Sequence, residues 1–275
     1  MPAKLTFTQE MRAKAMSLHT FSQAPKEGKK KDTKETQVVN WETTKEDFLQ
    51  FLTDSLVVYK VRTALGRRDR DCSMDLIFME SLLTVKLQAF ELAVQKPGLE
   101  LLVNSGLERV DSLQKDIAFI ESTYGLAAPA PSAAATEYAD FLKNIKEDGV
   151  FVVHFYNYYF AHTAGGRMIG QKVMDEVFGG HLFEFYKWDR DVKEILAEVK
   201  GHIDVIANTW TREQKDASLA ATPETFQKSG ALLRALVGKA RDRAARMMNK
   251  VQKRKGLLTK VPQSQYSVRK AAWDV

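Results

Sequence analysis
His19 lies seven residues after Arg12 in the segment MRAKAMSLHT, and helical spacing places Arg12, Met16, His19 and Gln23 on one stripe. At the α-helical rise, Arg12 and His19 stand about 10 Å apart. An imidazole nitrogen can take iron axially and a guanidinium can hold a carboxylate, and that separation is the scale between a porphyrin's iron and its propionates. Standing alone, the same stripe reads equally as a hydrogen-bonded histidine on an ordinary helix. The second chemical feature is glycine. From Gly149 to Gly166, GVFVVHFYNYYFAHTAGG, no Lys, Arg, Asp or Glu occurs, and the run closes on Ala161, Ala164, Gly165 and Gly166, with Gly170 just beyond. Each Gly inside a helix costs about 1 kcal/mol relative to Ala. What glycine offers in return is close approach of another body to the backbone, so a flat body is expected to lie across this segment.

The elements that must position these residues read as helices. Residues 8–23 form an amphipathic helix with Thr8 as N-cap, and Glu46 to Tyr59 turns Phe48, Leu49, Phe51, Leu52, Leu56 and Val57 to one face. Gly106 to Gly125 is amphipathic, with Leu107, Val110, Leu113, Ile117 and Ile120 inward. A flexible connection starts at Ala128, and Tyr138 to Lys146 leads into the uncharged run. QKVMDEVFGG follows, HLFEFYKWDRD reads as a turn or extended connection, and two further helices cover EILAEVKGHIDVIANTW and TPETFQKSGALLRALVG. No strand ladder is legible, so the fold class is all-α. The uncharged run has the length of a membrane span, but His154, Asn157, His162, Tyr156, Tyr158 and Tyr159 make it costly in lipid. A buried helix and no transmembrane segment are expected.

The blocks MRAKAMSLHT, NSGLERVDSLQKD, HFYNYYFAHTAGGRMIG, FEFYKWD, WTREQK and FQKSGALLR occur in that order and together resemble a plant- or algal-type haem oxygenase. The resemblance implies a single all-α domain over residues 1–238, a helical bundle with haem b sandwiched between a proximal helix and a kinked distal helix. It implies oxidative opening of haem, as both substrate and cofactor, to biliverdin, carbon monoxide and ferrous iron with dioxygen and electrons. On this resemblance His19 is the proximal iron ligand, and Gly165 and Gly166 lie against the haem. His162 holds distal water for proton delivery, where animal relatives carry aspartate. Arg12, Tyr156 and Lys200 reach the propionates, with Lys193 competing with Lys200 for that part. His154 is a structural hydrogen-bonding residue, while His181 and His202 have no motif support. The chain departs from the family pattern at residues 61–88, an expected insertion, and at 239–275, a basic extension expected to be flexible or partly helical.

Composition narrows the partners. Net charge is +6, but residues 237–275 carry +9 and the preceding body −3, so a basic tail is responsible and nucleic-acid binding is not expected. The single Cys72 excludes an intramolecular disulfide and a clustered-thiolate metal site. There is no flavin or NAD fingerprint, so a separate electron donor is implied, and the family's donor is plastid ferredoxin. The resemblance further implies the chloroplast stroma and a monomer, although MPAKLTFTQEMR shows neither a secretory nor a transit pattern. A di-iron carboxylate oxygenase is disfavoured because no histidine has Glu three residues earlier. The remaining alternative is a non-catalytic, tetrapyrrole-binding regulatory relative, against which the presence of His19 argues.

Overall fold
The computed structural model describes residues 5–20, 28–31, 43–59 and 98–236. The expected insertion at 61–88, the extension at 239–275 and Cys72 lie outside the described residues. Within them the chain is helical, with one isolated parallel bridge between Thr20 and Lys30. In order come α1 (Phe7–Leu18), α2 (Lys45–Tyr59), α3 (Val110–Tyr124), α4 (Ala133–Asn144), α5 (Asp148–Ala161), a π-helical turn (His162–Gly166), α6 (Arg167–Val177), α7 (Val192–Ala207), α8 (Arg212–Ala220) and α9 (222–236). Short 3₁₀ turns sit at Glu100–Leu102 and Glu184–Tyr186.

The start of α1 differs from the expectation. Thr6 is the N-cap, in a capping box with Gln9, and the helix ends at Leu18, well short of residue 23. Thr8 is diverted to a tertiary role: its N–H and hydroxyl both donate to the Asp204 carboxylate, at 2.8 and 2.9 Å, tying α1 to α7. The segment after Ala128 also differs. Ser132 caps a helix from Ala133, because its hydroxyl takes the Ala135 N–H and a good helix-forming alanine run follows. A separate helix, α8, was not expected; a second Thr–Gln capping box, at Thr211 and Gln214, starts it.

Periodicity predicts the inward face of α3 and the first half of that of α2: Phe48, Leu49, Phe51 and Leu52 are buried, as are Leu107, Val110, Leu113, Ile117 and Ile120. Further along α2 the expected Leu56 and Val57 are only half-buried, and Val58 and Tyr59 are buried together with Asp47, Thr53, Asp54 and Ser55, because α2 packs across both α3 and α4. α3 stops at Gly125, whose left-handed φ of 64° suits glycine. α5 is buried almost all round, through Phe151, Val152, Val153, Phe155, Tyr156 and Tyr159. That accounts for its missing charges, and no helix among the described residues is long and apolar enough to cross a membrane. Gly149 lets α8 approach α5, since a Cβ there would run into Ser218. α1 lies against α7 and α8, which brings the N-terminal stripe to the flank of α5.

Candidate functional site
His19 is the C-cap of α1, in extended conformation, and its N–H still donates to the Met16 carbonyl. Its Nδ1 lies 2.9 Å from the Ala15 carbonyl oxygen. A carbonyl only accepts, so Nδ1 carries the proton and Nε2 is left with its lone pair. Phe226 of α9 meets the ring edge-on at 5.1 Å. A backbone carbonyl fixing one nitrogen while the other stays basic is the arrangement that suits an axial metal ligand, so this donor fits haem iron. The His19 carbonyl in turn accepts the N–H groups of Lys29 and Lys30, each at 3.0 Å, so the chain returns beside the histidine. An open groove of about 540 Å³ runs along α1, lined by Leu5, Gln9, Arg12, Ala13, Met16, Gly28 and Lys29. Two members of the expected stripe are there, and Lys29 joins them as a cation that the spacing did not reveal.

The three residues expected at the propionates come from three helices. Tyr156 of α5 stacks on Phe160, with ring centres 4.2 Å apart, and Lys200 of α7 holds its Nζ 5.5 Å from the centre of the Phe160 ring. Burial pushes the Tyr156 hydroxyl up to about 12, while the positive charge of Arg12 pulls the other way and the negative charge of Asp204 adds to the rise. Arg12 on α1 is therefore close enough to be felt at Tyr156. Lys193, the competing lysine, is exposed in the first turn of α7, two turns from Phe160's neighbour Lys200.

The glycines separate into two kinds. A Cβ on Gly170 would strike the Tyr186 ring, so this glycine serves helix packing. A Cβ on Gly165 would meet nothing within 4 Å, so no neighbour among the described residues requires glycine there. Gly165 sits with Ala161, Ala164 and Met168 on an exposed, uncharged strip, Met168 being 77 % exposed. A Cβ on Gly166 would fall 3.2 Å from Nδ1 of His162. The turn carrying these residues is π-helical from His162 to Gly166, with right-handed dihedrals at Ala161, Gly166 and Arg167. Such one-turn bulges widen a helix and concentrate at functional sites.

His162 is buried, and its environment is polarised. Its Nε2 lies 3.0 Å from the Phe185 carbonyl oxygen, so Nε2 holds the proton and donates, and Nδ1 is the acceptor on the Gly166 side. The ring stacks on Phe185 at 4.0 Å and touches Tyr186 and Trp188. Burial, helped by the charges of Arg109 and Arg167, lowers its basicity to about 3, so the ring is neutral. His154 makes the expected structural hydrogen bond, 3.1 Å from its Nδ1 to the Tyr138 hydroxyl. His181 stacks on Phe119 at 3.9 Å, and His202 is partly buried. Sequence reasoning assigned no part to Phe185, Tyr186 and Trp188 around His162, nor to Asp116, which accepts the Phe185 N–H and carried a signal as an acid on the apolar face of Leu113, Ile117 and Ile120.

No family model matches the chain. It is 40% identical over 230 residues to "Heme oxygenase 1, chloroplastic" of Oryza sativa subsp. japonica, covering 83% of this chain and 70% of that protein. To "Heme oxygenase 1, chloroplastic" of Arabidopsis thaliana it is 37% identical over 235 residues, 84% of this chain and 74% of the relative. A more distant relative, at 26% over 205 residues, is "Probable inactive heme oxygenase 2, chloroplastic" of Arabidopsis thaliana, with 74% of this chain and 60% of that one matched. Among solved structures, heme oxygenase-1 from the cyanobacterium Synechocystis in complex with heme matches with a TM-score of 0.48 at 19% identity, over 76% of this chain and 85% of that one. With two relatives matched at this identity over most of their own length, the chain belongs to the plant chloroplastic haem oxygenase family.

Proposed function
We propose that this chain opens haem to biliverdin, carbon monoxide and ferrous iron, using dioxygen and electrons from reduced ferredoxin, as a monomer in the plastid stroma. The observation that supports a catalytic over a regulatory reading is the arrangement of His19, a histidine held by Ala15 through Nδ1 so that Nε2 keeps its lone pair. Bound haem supplies the iron at which dioxygen is reduced and the ring carbon that is oxidised. The chain's own residues orient and protect. His19 would hold the iron, and Tyr156 and Lys200, which meet at the Phe160 ring, would take the propionates together with Arg12, whose charge is felt at Tyr156. Gly165 lets the ring lie on backbone, and the strip of Ala161, Ala164 and Met168 offers it an uncharged face.

His162 then has a definite part. With Nε2 committed to the Phe185 carbonyl and basicity lowered to about 3, it is a poor proton donor. Its Nδ1 accepts a hydrogen bond, so it orients a water beside Gly166 and leaves proton delivery to the water. For ferredoxin, an acidic protein, the exposed cations Arg12 and Lys29 at the α1 groove, followed by Lys30 and Lys31, form a basic rim that attracts it.

Hemin added to the purified protein is expected to give a Soret band, with a changed coordination spectrum in His19→Ala. Reduced ferredoxin, or ascorbate with an iron chelator, is expected to yield biliverdin. No Soret band in the wild type, or an unaltered spectrum in His19→Ala, overturns the ligand assignment. Haem binding without biliverdin under both reductants turns the reading to the regulatory alternative.

A further inference from the structure
The distal histidine is held by a segment far from it in sequence, and that segment is held in turn by one helix. Phe185, whose carbonyl accepts from His162 Nε2, belongs to the 3₁₀ turn Glu184–Tyr186. The buried Asp116 of α3 accepts both free amides at the start of this turn, Glu184 N–H at 2.8 Å and Phe185 N–H at 2.7 Å. At the other end, the Arg109 guanidinium donates to the Lys187 carbonyl and lies 4.7 Å from the centre of the Trp188 ring. Arg109 is itself fixed by the turn before α3, through the Leu107 and Gly106 carbonyls at 3.3 Å. Gly106 has a φ of 84°, a left-handed conformation that suits glycine and bends this turn under the arginine. Arg109 is the N-cap of α3 and Asp116 lies seven residues on, about 10 Å along the axis, so one helix and the turn before it hold both ends of residues 184–187.

We propose that Asp116 and Arg109 are positioning residues for the distal site, which hold the 184–188 segment so that the Phe185 carbonyl takes the Nε2 proton and His162 presents Nδ1 to the Gly166 side. The consequence is chemical as well as mechanical. A neutral imidazole can place its proton on either nitrogen, and the partner of one nitrogen decides the role of the other. Were the Phe185 carbonyl to move away, Nδ1 could carry the proton instead. His162 would then face the Gly166 side as a donor, and a water there would be turned around. Asp116 is an economical anchor because an ionised carboxylate accepts two amide hydrogen bonds at once, and these charge-assisted bonds are among the stronger ones available. Arg109 adds a second, smaller effect: its charge works with burial, the larger cause, against protonation of His162.

This inference rests on the reading of His162 as a residue of the reacting face, but its test does not need turnover. Isotope-labelled histidine is introduced into the ligand-free protein, and long-range proton–nitrogen NMR reads which ring nitrogen of His162 carries hydrogen, the signals being assigned by their loss in His162→Gln. The wild type is expected to show a single Nε2–H tautomer. Asp116→Ala is expected to give mixed tautomers, and Arg109→Lys, which keeps the charge but loses the planar fork, a partial change in the same direction. With hemin and ascorbate, Asp116→Ala should slow biliverdin formation on the order of tenfold, with little change in hemin affinity. An Nδ1–H tautomer in the wild type overturns the proposal, and so do unchanged His162 signals in a folded Asp116→Ala. If Asp116→Ala does not fold, unchanged signals in Arg109→Lys overturn it equally. Shifted tautomers in a protein that never forms biliverdin would leave the clamp standing and remove the functional reading.

Discussion
Substituting alanine for two glycines five residues apart should have opposite effects on the ligand-free protein. At Gly165 the new Cβ enters open space, so the substitution gains helix propensity, about 1 kcal/mol. At Gly170 the same gain is offset by overpacking, because the Cβ would overlap three atoms of the Tyr186 ring, a side chain only 8 % exposed with little room to retreat. Overpacking of a filled core costs about 1–3 kcal/mol, and overlap with a rigid ring belongs at the upper end, for a net loss of about 2 kcal/mol. The two variants should therefore differ by about 3 kcal/mol. For a domain of this size that separates their melting temperatures by roughly 6–12 °C. Urea and thermal unfolding followed by circular dichroism measure the difference. Hemin affinity and biliverdin yield should order the variants the other way, with Gly165→Ala the more impaired because its methyl stands where the ring is to lie. Equal stabilities would refute the division of the glycines into packing and ligand-facing kinds. Full turnover in Gly165→Ala would refute the assignment of the open face to haem.

Three other outcomes are expected. Asp204→Ala should destabilise the protein by about 1–3 kcal/mol in urea unfolding, because it leaves the Thr8 N–H without its acceptor and the Thr8 hydroxyl with only the Thr6 hydroxyl as partner. Burial lowers His154 from 6.5 to about 4 and His162 from 6.5 to about 3, so both favour the folded state only while neutral. Their contribution is complete above pH 6.5 and is lost as pH falls through about 4 and about 3. Stability measured across that window should thus drop less steeply in His162→Gln than in the wild type, and equal slopes would count against the buried, neutral ring. Lys29→Glu should raise the KM for ferredoxin severalfold at low ionic strength, with the effect fading as salt is added and with ascorbate-driven turnover little changed.

Much of the scaffold is legible in local pattern. The inward face of α3 and the first half of that of α2 follow from apolar spacing, and the buried character of α5 from its lack of charge, because burial selects side chains one turn at a time. Capping was less legible. Thr6 and Thr8 are both good N-caps, and the choice of Thr6 depends on Gln9 reaching back and on Asp204, 196 residues away, claiming Thr8. The alanine run from Ala133 reads as a connection because its proline-rich neighbours mask the Ser132 cap.

At the site, residue types and order carried the resemblance to haem oxygenases, and with it His19, Arg12, Tyr156, His162 and the glycine pair. Chemistry of that kind resides in single side chains and short spacings, which a linear chain displays. What the chain could not display is which nitrogen each histidine offers. That depends on two carbonyls: Ala15, one turn from His19, and Phe185, 23 residues beyond His162. Nor could it say which glycine faces open space and which faces Tyr186. At His19 the partner lies one turn away, but at His162 and Gly170 these are properties of groups brought together from distant segments, set only once Phe185 and Tyr186 pack against the segment that carries His162 and Gly170.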